Sequence, residues 1–325
     1  MLQRFYEYKN THNFNLKIVL TKLQTTKNVV SKEVYMKQTI LITGAGGGFG
    51  KLITRELLEE GFSVIGTMRD IGSRNKGNKQ ELESLGAKVI EMNVTDTPSV
   101  EAAVIEAIQF KGKIDVVINN AGLGVLGLQE TFTPEDFKKL FEINVFGVQR
   151  VNRAIIPHFR DNKNGLLIHI SSLLGRITVP FYGPYNASKW ALEAIAENYR
   201  TELSGYGIES CILEPGGFAT SFIDNLLRPS DMRRVQELGD FAKFPEEFLK
   251  GFEKGLASNP EQNPRNVALA VVNLIKKSKG ERPFRTIIDK MGMGVHVEDY
   301  NSHLSRVTEG IYTAFGISHL LKVKE

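Results

Sequence analysis

Thr39-Ile40-Leu41-Ile42-Thr43-Gly44-Ala45-Gly46-Gly47-Gly48-Phe49-Gly50 is a short apolar run that feeds into a cluster of glycines. An apolar run without polar alternation suits a strand buried on both faces, as in a parallel sheet. From Lys51 to Glu60 the apolar residues Leu52, Ile53, Leu57 and Leu58 take helical spacing, and Gly61 stops the run. Strand, glycine turn and helix in that order are the context a phosphate-binding turn requires. Glycines let the backbone approach a pyrophosphate closely, and N–H groups at the helix start meet its charge. The spacing is T-G-x-x-x-G-x-G, through Thr43, Gly44, Gly48 and Gly50; Phe49 stands where the G-x-G-x-x-G fingerprint needs a glycine.

The alternation continues downstream. Residues 62–67 read as a second strand, and Met68-Arg69 stands at its end, where an NAD site would place an acid for the ribose 2′-hydroxyl. A guanidinium suits a 2′-phosphate, so Arg69 points to NADP(H), with NAD(H) left open by the neighbouring Asp70. Further strands are expected at 88–93, 114–118, 166–170, 208–213 and 285–289. Thr97 and Pro98 read as cap and first residue of a helix through Ile108. Thr133-Pro134-Glu135-Asp136 opens a long helix that carries Asn144 among apolar neighbours, where a buried amide needs partners. His169, in the middle of an apolar strand, reads as a core histidine. The fold class is therefore α/β, a doubly wound parallel sheet in a single domain.

Composition is that of an ordinary globular chain, 42% apolar and 24% charged over 325 residues. No apolar run reaches the ~18 residues of a membrane span, so a soluble protein without a membrane segment is expected. Residues 1–35 carry six basic residues against Glu7 and Glu33, which accounts for the whole net charge of +4. The remainder is neutral, which removes the case for a nucleic-acid surface. Residues 1–35 are expected to be a poorly ordered extension, or to precede the true start at Met36. The single Cys211 lies in an apolar strand and reads as a core residue of a reducing, cytoplasmic compartment. No cluster of metal-ligand type stands out.

Tyr185-Asn186-Ala187-Ser188-Lys189 sets a phenol and an ammonium one helical turn apart. A fixed positive charge favours the tyrosinate, which makes Tyr185 a candidate acid/base. Asn119-Asn120-Ala121-Gly122 follows the fourth strand, and Ser171-Ser172 follows the fifth, with Ser172 thirteen residues before Tyr185. Pro215-Gly216 follows the sixth.

In this order the features resemble the short-chain dehydrogenase/reductase family over about residues 38–290, and the layout is most like its retinol and 17β-hydroxysteroid dehydrogenase branch. The resemblance implies a Rossmann-type domain over 36–295, with a helical lid inserted at about 217–264 and a helical extension over 296–325. It implies catalytic roles for Asn144, Ser172, Tyr185 and Lys189: proton transfer by Tyr185, tuning and ribose contact by Lys189, an oxyanion contact from Ser172, and a relay water held by Asn144. It implies a dinucleotide held by Thr43, Gly44, Gly48, Phe49, Gly50, Arg69, Asn93, Val94, Asn120, Ala121, Gly122, Tyr185, Lys189, Pro215, Gly216 and Thr220. Asn93 stands where many members have the Asp that meets the adenine amino group; its amide oxygen can accept the same bond. The lid carries Phe218, Phe222, Phe241, Phe244, Phe248 and Phe252, and Phe181 and Tyr182 precede Tyr185. Such an apolar wall suits a lipophilic ketone, aldehyde or alcohol. Family members commonly form homodimers or homotetramers through the helices that here span about 134–160 and 184–204. A non-catalytic dinucleotide-binding redox sensor is the alternative function.

Overall fold

In the computed structural model, which describes residues 38–324, the opening stretch forms strand β1 (Thr39–Thr43) and helix α1 (Gly48–Glu59), joined through the glycine turn. The extension over residues 1–35 lies outside the described residues. All of β1 is buried and its residues sort by parity. Ile40 and Ile42 pack with Ile53 and Leu57 of α1, whereas Leu41 packs on the opposite face.

The other strands are β2 (Ser63–Met68), β3 (Lys88–Glu91), β4 (Val116–Asn119), β5 (Gly165–Ile170), β6 (Ile208–Pro215) and β7 (Arg285–Ile288). They form one parallel sheet in the order β3-β2-β1-β4-β5-β6-β7. Its single hydrogen-bonded sheet makes the described chain one α/β domain of Rossmann type. Strand order reverses between β1 and β4, which opens a crevice at their carboxyl ends. Helices α2 (Lys76–Ser84) and α3 (Thr97–Lys111) link the first strands. One sheet face is covered by α1 and α9 (Arg265–Lys276), the other by α3 and α5 (Val148–Asp161). Helix α6 (Gly183–Glu202) follows β5 and the Ser172 turn.

Three expectations shift. The cap of α3 is Asp96, not Thr97: its carboxylate accepts from the Ser99 N–H at 3.2 Å, with Pro98 in the first turn. Strand β3 stops at Glu91, so Asn93 and Val94 sit in the loop beyond it. The long helix expected over 134–160 is interrupted: α4 (Pro134–Phe141) and α5 flank a π-helical segment, Glu142–Gly147, that contains Asn144. Such wider turns concentrate at functional sites.

The insertion after β6 holds α7 (Met232–Glu237) and α8 (Phe244–Ala257). Beyond β7, α10 (Gly294–Ala314) buries only Gly294, Val297 and Asn301. The stripe through Val307, Ile311 and Phe315 is exposed rather than packed on this domain. No helix among the described residues is long and apolar enough to cross a membrane.

Candidate active site

The glycine turn is shaped by backbone proximity. Gly44 has φ +66°, and a Cβ there would meet the Ala121 Cα at 2.9 Å; a Cβ on Gly50 would overlap the Gly44 carbonyl. Only glycine satisfies both contacts. Thr43 stitches this turn to the loop after β4. Its hydroxyl accepts from the Asn120 and Ala121 N–H groups at 3.1 and 3.0 Å, and Asn120 Nδ2 donates to the Thr43 and Gly44 carbonyls. The start of α1 has no cap from its own segment; instead the Gly48 N–H donates to Ser221 Oγ of the lid at 3.2 Å. A glycine cradle against a helix start with such sparse capping fits a pyrophosphate. The Phe49 ring meets Phe218 edge-on at 5.6 Å and packs against the core.

Arg69 and Asp70 stand exposed just past β2, and the Arg69 Nε lies 3.9 Å from the Asp70 carboxylate. Asn93 differs from expectation. Its amide oxygen already accepts from the Thr95 N–H and hydroxyl, at 3.2 and 2.9 Å, so both lone pairs are engaged before any adenine arrives. Val94 packs against Gly147 of the π segment. Pro215 ends β6, and Gly216 is pinned by its N–H to the Ile288 carbonyl at 2.8 Å and by close contact with Asp289. Thr220 lies at the base of the lid, where its hydroxyl accepts from the Phe222 N–H at 3.4 Å.

The four candidate catalytic residues come together at the carboxyl ends of β4 and β5. Lys189 Nζ donates to the Ile170 carbonyl at 2.8 Å and sits 5.6 Å from the Tyr185 ring centre. A Cβ on Gly122 would lie 3.5 Å from Asn144 Oδ1 and 3.8 Å from Lys189 Nζ, so one small residue separates them. Asn144 is held on all sides. Its Nδ2 donates to the Leu123 carbonyl and to Ser188 Oγ at 2.8 and 3.0 Å, and its Oδ1 accepts from the Leu123 N–H at 2.8 Å. Ser172 caps the one-turn helix Leu173–Gly175, its hydroxyl accepting from the Leu174 N–H at 3.1 Å.

With the protein's groups alone, burial is the leading influence on the phenol and pushes Tyr185 above its ordinary 10.0, against a hydrogen bond from the Ser172 side chain that pulls it down. The expected lowering by Lys189 therefore does not prevail here. Burial also brings Lys189 down to about 8, opposed by the nearby Glu193 charge. His169 is the core residue expected: burial and the Lys189 charge bring it to about 3, which keeps it neutral, and its Nδ1 lies 3.4 Å from Asn119 Nδ2. Burial likewise pushes the Cys211 thiol up to about 12.

The lid closes on this centre through aromatic contacts. Phe222 meets the Tyr185 ring at 5.8 Å, and Leu227 bridges to Val125. Phe248 meets Phe181 and Tyr182 at 5.5 and 6.3 Å. Phe218 and Phe252 serve to pack the lid onto the body: Phe218 is a core residue and Phe252 covers Gly217. The sequence reading missed Ser188 and Ser221, which touch Asn144 and the glycine turn. Neither carries a sequence signal, because each contact comes from a distant segment.

Residues 38–230 match the short chain dehydrogenase family. The 3-ketodihydrosphingosine reductase of Bacteroides thetaiotaomicron is 35% identical over 253 residues, 77% of this chain and 87% of its own length. Human retinol dehydrogenase 8 is 31% identical over 249 residues, 74% of this chain and 79% of its own. Among solved structures, a short-chain dehydrogenase from Streptomyces avermitilis superposes with a TM-score of 0.68 at 26% identity, over 86% of this chain and 98% of its own. The chain belongs to the short-chain dehydrogenase family, in its retinol dehydrogenase-like branch. It is an oxidoreductase that acts on CH–OH groups with a nicotinamide dinucleotide.

Proposed function

We propose that the chain interconverts a lipophilic carbonyl compound and its alcohol with NADP(H), using Tyr185 as the acid/base. The observation that carries this reading is the contact of Phe222 of the lid with the Tyr185 ring at 5.8 Å, within an apolar cluster that also holds Val125, Phe132 and Leu227. The dinucleotide supplies or accepts the hydride. Tyr185 gives its proton to the carbonyl oxygen during reduction and takes it back during oxidation, while Ser172 donates to the same oxygen as negative charge develops. Lys189 holds the ribose and offsets charge on the phenolate. Asn144, whose amide hydrogens are already donated to Leu123 and Ser188, keeps the Gly122 loop and α6 in register rather than offering a free side-chain donor. Arg69 grips the 2′-phosphate, which supports NADP(H) over NAD(H). Two relatives named for a ketodihydrosphingosine and for retinol favour a long apolar substrate. We place the enzyme in the cytoplasm, as a homodimer or homotetramer.

The test follows NADPH and NADH absorbance with purified protein over long-chain keto lipids, retinaldehyde, steroid ketones and short ketones. Tyr185→Phe is expected to lower kcat by roughly 10²–10⁴-fold, the range of a lost general acid. Turnover equal to wild type in that variant overturns the acid/base assignment. Arg69→Ala is expected to raise the KM for NADPH about 10-fold or more, the scale of a charge-assisted pair, and to leave NADH unaffected. Equal use of both cofactors by wild type overturns the NADP(H) assignment.

A further inference from the structure

Helix α10 buries few residues, yet one of them is an amide. Asn301 accepts from Arg176 Nε at 2.9 Å and donates to Glu214 Oε2 at 2.6 Å. All three side chains are buried. A buried amide is costly unless paired, and an apolar residue would dock a helix at no such cost. The pairing must therefore be judged by what it connects.

Arg176 closes the one-turn helix that Ser172 opens: the Gly175 N–H donates to the Ser172 carbonyl and the Arg176 N–H to the Leu173 carbonyl, at 2.9 and 3.0 Å. Its guanidinium lies under Tyr300 of α10 and Trp190 of α6, at 4.9 and 5.8 Å from the ring centres. On the other side of Asn301, Glu214 of β6 reaches Arg285 Nε at 3.4 Å, and Arg285 of β7 pairs with Glu193 at 3.0 Å and Glu197 at 3.2 Å. Glu193 is one helical turn beyond Lys189. The loop closes at Gly175, where a Cβ would come within 2.8 Å of Ser171 Oγ and 3.0 Å of Glu193 Cγ. Both elements that carry the chemistry, the Ser172 turn and α6, are thus fastened to one buried ionic frame. Asn301 is the link that α10 supplies.

We propose that Asn301 is a positioning residue for Ser172, acting through Arg176, so that the C-terminal helix is part of the active-site framework. The inference rests on the proposed role of Ser172 in carbonyl chemistry. Because that hydroxyl matters most as charge develops on oxygen, loosening the turn acts on the chemical step and spares cofactor binding.

The experiment measures kcat and KM with NADPH and a long-chain methyl ketone, per folded molecule, for wild type, Asn301→Leu and Asn301→Asp. Asn301→Leu is expected to lower kcat roughly 10- to 100-fold, with the KM for NADPH within about twofold of wild type. Asn301→Asp keeps the acceptor for Arg176 but sets a carboxylate against Glu214, with Arg285, Glu193 and Glu197 as the other charges facing the frame. Burial and the Glu193 charge already hold Glu214 well above the ordinary carboxylate range, so in this variant the new carboxylate and Glu214 share a proton near neutral pH and lose it in alkali; the variant's kcat relative to wild type is expected to fall as pH rises. A merely structural residue gives neither signature. The inference is overturned if Asn301→Leu lowers only the melting temperature, or if kcat and the NADPH KM shift together. Should Asn301→Leu fail to fold, a kcat ratio for Asn301→Asp that does not change with pH overturns it. Failure of wild type to reduce any carbonyl speaks against the functional reading instead.

Discussion

Lys189 carries an ammonium where water cannot solvate it, 5% exposed and with one protein hydrogen bond, to the Ile170 carbonyl. Its fall from 10.5 to about 8 means that below pH 8 the folded state holds this charge at a cost. At about 1.36 kcal/mol per unit the shift is worth about 3 kcal/mol, less the lost Ile170 bond in any variant. Lys189→Met is therefore expected to be roughly 1–3 kcal/mol more stable at pH 7 and at least 10²-fold less active. The sign also fixes the pH dependence. Between about pH 8 and 10.5 the unfolded chain keeps the proton that the folded chain has released, so wild type gains stability on Lys189→Met as pH rises through that window. Urea unfolding at pH 7 and pH 10 checks it; a variant less stable than wild type at pH 7 removes the account. Tyr185, Lys189 and Ser172 were legible in the sequence because one helical turn and one loop length tie them together. The bonds that hold Asn144 were not, since Ser188 comes from 44 positions away and Leu123 from the preceding strand's loop.

At the scale of elements, strands and the glycine turn follow from local pattern, and where the pattern is ambiguous the reading moves by a residue. Thr97 reads as the cap from its place before Pro98, and local pattern does not say which side chain reaches back to the first turn. Asp96 wins because its backbone is extended, at φ −122° and ψ 115°, with Pro98 already inside the helix. The consequence reaches the loop after β3, because Ser99 both donates its N–H to Asp96 and accepts from the Asn93 N–H at 3.0 Å. Asp96→Ala is expected to cost about 1 kcal/mol, and Thr97→Ala less than half of that. Paired urea titrations decide it, and equal losses in the two variants reject the assignment of the cap. The π segment around Asn144 was beyond local reading for a different reason. Nothing in Glu142–Gly147 breaks helical spacing, and the wider turn accompanies amide bonds to elements outside the helix.

For the whole molecule, the domain accounts for its own core but leaves large aromatic surface uncovered along the helices that flank the site. Phe146, in the π segment between α4 and α5, is 48% exposed, and Trp190 on α6 is 40% exposed. The family resemblance implies these helices as an oligomer interface, and the exposed rings give that implication a physical reason, since aromatic side chains are enriched at the buried cores of such contacts. A second copy seated there would also cover the exposed side of Trp190, whose ring lies over Arg176, tying assembly to the frame beneath Ser172. The enzyme is accordingly expected to sediment as a multiple of its 36.3 kDa chain. Phe146→Glu, which places a charge at the centre of the contact, should yield monomers. Trp190 is the chain's only tryptophan, so its emission should shift to the red as the monomer forms, giving a second reading of the same event. Wild type that sediments as a single chain at micromolar concentration, with Trp190 emission unchanged in Phe146→Glu, would assign those rings to some other partner.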